Sequence, residues 1–246
     1  HINKGYYDDA ARILRSMTGM KVIGITGSYG KTSTKHYLNR ILQEQWDVLM
    51  TPGSYNTPMG VIRTVREMMK PYTEIFICEM GAKNIGDIKE ICDLVHPDMG
   101  IITAVGEQHL ESFKTIENVQ RTKFELADAI PAEGFVLVNN DFPYAASREV
   151  TNTEALRYSV GSKNADYYAD GIVYGKDGTR FTLHTPGGAA YPFETRLVGE
   201  CNISNLIPAI AIAMPLGMSV DKVQYALSRV EQVEHRLNMK HTPGGI

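Results

Sequence analysis

The sequence predicts an α/β protein: a mostly parallel phosphate-loop sheet flanked by helices, with a small antiparallel β subdomain. Three observations predict it. Short apolar runs alternate with helical patterns from residue 21 to residue 138. A glycine-rich loop joins the first of those runs to the first of those helices. From about residue 155 to residue 199 the texture changes to short alternating runs broken by turn residues.

The strand candidates of the first part are residues 21–26, 74–78, 99–104 and 135–138. Each is short and mostly apolar, as expected of a sheet covered on both faces. Helical spacing fills the gaps. Leu38, Ile41 and Leu42 share one face after the glycine loop, and Val61, Val65 and Met68 share another. Ile88, Ile91 and Val95 form a third, which His96-Pro97 ends. Ile116, Val119, Lys123, Leu126 and Ile130 define a fourth. The βαβ rhythm implies parallel strands with right-handed crossovers. In the second part, runs at 158–160, 172–174, 180–184 and 191–197 are separated by Lys176-Asp177-Gly178 and Pro186-Gly187-Gly188, which read as turns. Helices resume at 202–214 and 220–230.

At 246 residues the chain can bury a sizeable core as one large domain, with or without a small appendage. A net charge of −3 argues against a nucleic-acid partner. Cys78, Cys92 and Cys201 have no metal-ligand spacing; this is free-thiol usage, expected of a cytoplasmic protein. No signal peptide or transmembrane run is legible, so no membrane contact is expected within this chain. The chain begins on His1 and ends on the turn signal Pro243-Gly244-Gly245-Ile246, and a longer parent protein is expected.

The richest segment is Gly24-Ile25-Thr26-Gly27-Ser28-Tyr29-Gly30-Lys31-Thr32-Ser33. Strand, glycine loop and helix follow in the order that cradles phosphate. Glycines let the backbone turn tightly and aim N–H groups at phosphate oxygens, and the helix start adds its positive dipole end. Lys31 would neutralise the β/γ-phosphates and the Thr32 hydroxyl would sit on Mg²⁺. Gly27, Ser28, Gly30 and Ser33 complete the expected nucleotide contacts. The Gly-x-x-Gly-Lys-Thr spacing is two residues shorter than the common phosphate loop.

Glu79 closes the apolar run Ile75-Phe76-Ile77-Cys78 and precedes Met80-Gly81. A strand-end glutamate alone reads as solvated. Beside a phosphate loop it reads as a Mg²⁺ carboxylate, because open α/β sheets bind ligands at the carboxyl ends of their strands. His109 follows another strand end, where a histidine by itself is simply exposed. Lys123 lies in a helix near Val119 and Leu126, and on its own reads as an ordinary snorkelling lysine.

Taken together, these residues resemble the Mur ligase family, ATP-dependent amide ligases of peptidoglycan precursor synthesis, and specifically their central ATP-binding domain over residues 1–246. The 24–34 segment resembles the family's Thr-Gly-x-x-Gly-Lys-Thr loop, Glu79-Met80-Gly81-Ala82 its Glu-Met-Gly-Ala segment, and His109-Leu110-Glu111-x-Phe113 its His-Leu-Glu-x-Phe segment. Lys123 falls where the family carries a carbamylated lysine. Asn202 and Asn205 resemble the adenine-contacting helix start, and Arg236 the arginine that reaches the ATP phosphates. The resemblance implies catalytic Lys31, Glu79, His109 and Lys123. It implies two Mg²⁺ sites, with Thr32 and Glu79 at one and His109 and carbamylated Lys123 at the other. It also implies an acyl-phosphate mechanism with ATP, a UDP-muramoyl peptide acceptor and D-Ala-D-Ala as the amine, and UDP-binding and C-terminal domains outside this chain.

Two departures touch the site. The family's substrate loop reads Gly-Asn-x-Asn-Asn-x-Ile-Gly, whereas residues 53–60 read Gly-Ser-Tyr-Asn-Thr-Pro-Met-Gly, leaving Asn56 and Thr57 as candidate acceptor contacts. Cys201 stands where a histidine is common. The altered loop keeps open a Mur-like ligase for another acidic chain, such as a polyglutamate, cyanophycin or folate polyglutamate. A catalytically silent ATP-binding module is a further alternative, disfavoured by the retained Lys31, Glu79, His109 and Lys123. A GTPase switch is not favoured, because Val138-Asn139-Asn140-Asp141 is not a guanine-reading Asn-Lys-x-Asp.

Overall fold

The computed structural model describes residues 3–53, 55–107 and 110–233. Along the chain run α1 (Lys4–Ser16), β1 (Lys21–Thr26), α2 (Lys31–Leu42), β2 (Val48–Met50), α3 (Pro58–Met68), β3 (Ile75–Glu79), α4 (Asp87–Val95) and β4 (Met99–Ile102). There follow α5 (Leu110–Phe113), α6 (Ile116–Lys123), α7 (Glu125–Ala129), β5 (Phe135–Asn139), α8 (Pro143–Ala146) and β6 (Glu154–Val160). The last elements are β7 (Tyr167–Gly175), β8 (Gly178–His184), β9 (Ala190–Thr195), α9 (Glu200–Leu216) and α10 (Val220–Ser228).

The strands form one sheet in the order β2-β3-β1-β4-β5-β6-β7-β8-β9. β3 and β4 are buried throughout, as both-face coverage requires of a parallel sheet. Alternate side chains of β1 feed two cores. Ile23 and Ile25 join Leu38 and Ile41 of α2 and Ile207 and Ile210 of α9 on one face. Val22 joins Val61, Ile88, Val119 and Leu126 on the other. Gly24 faces the second core, where a Cβ would come within 2.7 Å of Leu126 Cδ1, so the helix layer packs directly on the β1 backbone.

The antiparallel strands do not form a separate sheet. β6 pairs in parallel with β5, and β7 with β6; only β8 and β9 add antiparallel pairings at that edge. Tyr158, Tyr167, Ala169, Phe181, Leu183 and Phe193 all enter the α2–α9 core, and this shared burial makes the outer strands an extension of the main sheet. The helix expected across 116–130 is two helices that meet at Phe124. α1 and β2 extend the architecture beyond the elements read from the sequence. Among the described residues no helix is long and apolar enough to cross a membrane.

The chain order places a crevice. β1 pairs with β3 on one side and with β4 on the other, and the chain crosses from one side of β1 to the other between β3 and β4. The carboxyl ends of these strands therefore open at a topological switch point, where α/β sheets bind ligands. The glycine loop follows β1, Glu79 ends β3, and residues 103–107 follow β4.

Candidate nucleotide and metal site

The glycine loop is held from behind by the segment after β4. Gly27 has φ +153°, and a Cβ there would lie 1.9 Å from Thr103 Oγ1, so only glycine lets the two segments meet. The buried Thr103 hydroxyl donates to the Tyr29 carbonyl at 2.5 Å. The Asn139 amide in turn donates to the Thr103 carbonyl at 3.0 Å. Ser28 is committed to this bracing: its N–H donates to the Ala104 carbonyl, and its hydroxyl accepts from Gly106 N–H at 3.0 Å. Gly30 then turns the chain at φ +79° into α2, with no side-chain cap on the helix start. The first-turn N–H groups of such a helix have no intrahelical acceptor and point outward with the positive dipole end. That arrangement suits phosphate oxygens.

At the same helix start the Thr32 hydroxyl lies 3.2 Å from both carboxylate oxygens of Glu79. Glu79 is 1% exposed. Its N–H donates to Thr51 Oγ1, and its Oε2 accepts from Asn56 Nδ2 at 3.1 Å. The remaining partner is Lys35, whose Nζ lies 2.9 Å from Glu79 Oε1 and donates to the Gly53 carbonyl at 3.1 Å. Lys35 is not one of the candidate site residues that the motifs single out. A signal was present: it lies on the α2 face that carries Leu38 and Leu42, where a lysine is out of place.

Lys123, at the end of α6, is buried. Burial first, and then the neighbouring Lys31 charge, push its pKa down from 10.5 to about 8, with Glu125 opposing. Lys123 and Lys31 line one cavity of about 300 Å³ together with Asn56, Thr57, Gly81 and Asp87. Thr57 also caps α3, accepting from Gly60 N–H at 3.1 Å. On the other flank of the loop, a cavity of about 350 Å³ is lined by Tyr29, Gly30, Ser33, Phe142, Asn202 and Asn205 among others. Asn205 sits against Gly30, where a Cβ would come within 2.6 Å of its Oδ1, and it accepts from Thr34 Oγ1. The Asn202 amide is tied into the fold: its oxygen accepts from Tyr37 Oη at 2.7 Å, and its nitrogen donates to the Val198 carbonyl and Gln232 Oε1.

The structure thus brings Gly27, Ser28, Gly30, Lys31, Thr32, Ser33, Glu79, Asn56, Thr57, Lys123, Asn202 and Asn205 to one crevice and the cavities on its flanks. His109 and Arg236 lie outside the described residues. Among the described residues no group of three or more His, Cys, Asp or Glu is placed to hold a metal. One carboxylate with a convergent hydroxyl is nevertheless what Mg²⁺ uses beside substrate phosphates, since it retains waters for its other positions.

A phosphate-cradling loop at the switch point of a parallel sheet, with a strand-end carboxylate on the helix-start threonine, defines a nucleoside-triphosphate-binding α/β domain. The chain belongs to the Mur ligase family: the model of the Mur ligase middle domain matches residues 25–213. It is 34% identical over 237 residues to the UDP-N-acetylmuramoyl-tripeptide–D-alanyl-D-alanine ligase of Mycobacterium bovis, covering 93% of this chain and 45% of that protein. It superposes on MurF from Acinetobacter baumannii with a TM-score of 0.87 at 28% identity, covering 96% of this chain and 51% of that one. For the MurF ligase of Thermotoga maritima in complex with ADP the TM-score is 0.84 at 25% identity, covering 94% of this chain and 52% of that one. The chain spans about half the length of the curated relatives it matches.

Proposed function

We propose that this chain is the nucleotide-binding part of an ATP-dependent carbon–nitrogen ligase that joins D-Ala-D-Ala to a UDP-muramoyl tripeptide in peptidoglycan precursor synthesis. One observation carries the reading. Lys31 of the phosphate loop, Lys123, and the loop residues Asn56 and Thr57 share a single cavity beside Glu79. A γ-phosphate on the loop and an acceptor carboxylate on Asn56 and Thr57 would meet there.

The chemistry then assigns roles. An acceptor carboxylate oxygen attacks the γ-phosphorus and ADP departs, giving an acyl phosphate. The amine attacks the acyl carbon, phosphate leaves, and the amine sheds a proton as the amide forms. Lys31 and the α2 start neutralise charge spreading over the phosphoryl oxygens. Glu79 and Thr32 would hold Mg²⁺, which when bound would screen the phosphates. The flanking cavity with Tyr29, Asn202 and Asn205 takes the adenosine end. Ser28 shapes the loop through its bonds to Ala104 and Gly106 rather than through a phosphate contact.

Lys123 is read as the site of a carbamate. Its neutral amine adds to the carbon of CO₂ and releases a proton, leaving an anion with two oxygens of the kind Mg²⁺ prefers. A buried amine whose pKa is lowered to about 8 supplies the neutral form near neutral pH. Its neighbour Lys31 also favours an anion over an ammonium at that position.

Calorimetry tests the nucleotide assignment. ATP analogues bind with Mg²⁺ and more tightly than GTP analogues, and Lys31→Ala weakens triphosphate binding far more than adenosine binding. Equal affinity for the two bases, or binding indifferent to metal, refutes it. For Lys123, ¹³C-bicarbonate gives a carbamate resonance that Lys123→Met abolishes; a spectrum unchanged by that substitution refutes the carbamate.

A further inference from the structure

Glu79 meets its partners from three directions. Thr32 reaches it from the helix start, Asn56 from the loop after β2, and Lys35 from the next turn of α2. The side chains of Lys35 and Glu79 are 0% and 2% exposed. A fully enclosed ammonium has no wet position to which it can retreat, and its second bond, to the Gly53 carbonyl, fixes it further. The carboxylate that would meet a metal therefore carries a permanent internal countercharge. The adjoining cavity adds three more amines, Lys31, Lys83 and Lys123, and among the described residues the one carboxylate on its lining is that of Asp87. Asp87 is occupied in receiving the Lys83 and Asn84 N–H groups.

We propose that Lys35 makes divalent-cation binding conditional on nucleotide. The Glu79–Lys35 pair has no net charge, so a free divalent cation meets no field that favours leaving water. A cation bound to a triphosphate arrives with anionic oxygens of its own, and needs from the protein only the oriented oxygens of Glu79 and Thr32. Lys35 is thus a positioning residue with an electrostatic gating role. It holds one oxygen of the carboxylate in place while cancelling its pull on bare metal. This rests on the reading that Glu79 and Thr32 face the nucleotide-bound metal.

Mn²⁺, followed by its electron paramagnetic resonance signal, is the probe. The unmodified chain leaves the free Mn²⁺ signal intact, yet it changes the signal of the Mn²⁺ complex of a non-hydrolysable ATP analogue relative to that complex without protein. Lys35→Gln and Lys35→Met, which uncover the carboxylate charge, bind Mn²⁺ without nucleotide at least tenfold more tightly than the unmodified chain. Lys35→Arg keeps the charge and stays blind to Mn²⁺ alone. Tight Mn²⁺ binding by the unmodified chain without nucleotide overturns the proposal. So does a neutral variant that gains none, or an arginine variant that gains as much as the neutral ones. If the neutral variants melt below the assay temperature, their melting point against Mn²⁺ alone is the readout: a rise supports the proposal and a flat response overturns it. A signal of the Mn²⁺–analogue complex that the chain does not alter is a distinct result, which removes the metal site itself.

Discussion

Taking an ammonium out of water is costly unless a carboxylate goes with it, and two lysines here meet that condition in opposite ways. Lys35 is enclosed with Glu79 at 2.9 Å. Lys123 is enclosed beside another cation, Lys31, and its pKa falls from 10.5 to about 8. That fall corresponds to roughly 3 kcal/mol of discrimination against the charged amine. The sign for stability follows. Between pH 8 and 10.5 the unfolded chain holds the Lys123 proton and the folded chain does not, so stability rises with pH across that window. Below pH 8 both states are protonated and the folded state bears the full penalty. In CO₂-free buffer at pH 7, Lys123→Met is therefore expected to be more stable than the unmodified chain, by roughly 1–3 kcal/mol, with the gap closing toward pH 10.5. Denaturant melts at several pH values check this; a pH-independent difference refutes it. The same variant cannot carry the proposed carbamate, so under that proposal stability and function oppose each other at this residue. The place of Glu79 beside the helix-start threonine is legible in the sequence, because the acid closes an apolar run and strand ends in an open α/β sheet meet at the crevice. Lys123 was not legible from its own surroundings, because helix lysines are usually solvated; only the family resemblance singled it out. Lys35 stayed hidden for the same reason, although its place on the apolar face of α2 contradicted that default.

At the scale of elements, the start of α9 divides two duties between two asparagines one turn apart. Asn202 is 3% exposed, and its amide ties Tyr37 of α2 to the Val198 carbonyl and to Gln232. Asn205 faces the glycine turn at Gly30. Asn202→Ala removes the buried hydrogen bond from Tyr37 Oη together with the two bonds its amide nitrogen donates to the Val198 carbonyl and Gln232 Oε1, a loss of about 1–3 kcal/mol. Its melting point should fall even without nucleotide. Asn205→Ala should leave the nucleotide-free melting point nearly unchanged and weaken ATP binding. Thermal melts with and without nucleotide, paired with calorimetry, separate the two; equal effects of both variants on the nucleotide-free protein would contradict the division. Most elements around this site are legible, because short, mostly apolar runs such as 74–78 and 99–104 have one natural use in a βαβ pattern. β2 was not, since it is three half-buried residues. α1 was not, because it buries only Ala10 completely and is otherwise largely polar. The split at Phe124 was invisible to periodicity: Val119, Lys123, Leu126 and Ala127 are all buried, as one continuous helix would require. The parallel pairing of β6 is not legible, because a strand pattern does not encode the direction of its partner; burial of Tyr158 in the core shared with α9 belongs to tertiary packing.

At the scale of the molecule, the sheet brings three loop ends to one crevice, which is the nucleotide half of the proposed three-reactant ligation. The glycine loop, Glu79 and the 103–107 segment are anchored to neighbouring parallel strands, so the site should form wherever this domain folds. Placing an acceptor carboxylate and an amine in line with the γ-phosphate is a separate demand. Such positioning is commonly worth roughly 7–11 kcal/mol, or a factor of about 10⁵–10⁸ in rate. The cavity beside Lys31 and Lys123, at about 300 Å³, has room for the reacting end of an acceptor but not for a nucleotide-sugar peptide together with a dipeptide. The relatives are about twice as long as this chain, and their remaining length is available for holding those two reactants. The chain alone is therefore expected to bind Mg²⁺·ATP yet release no phosphate above background when UDP-muramoyl tripeptide and D-Ala-D-Ala are added together. Binding is read by calorimetry and phosphate release by a continuous assay on the same preparation. Substrate-dependent turnover at ordinary enzymatic rates, about 1–10³ s⁻¹, would show that the nucleotide domain positions all three reactants unaided and would overturn this division of labour. Loss of ATP binding itself would instead mean that the crevice at β1, β3 and β4 needs the rest of the protein to take its working shape.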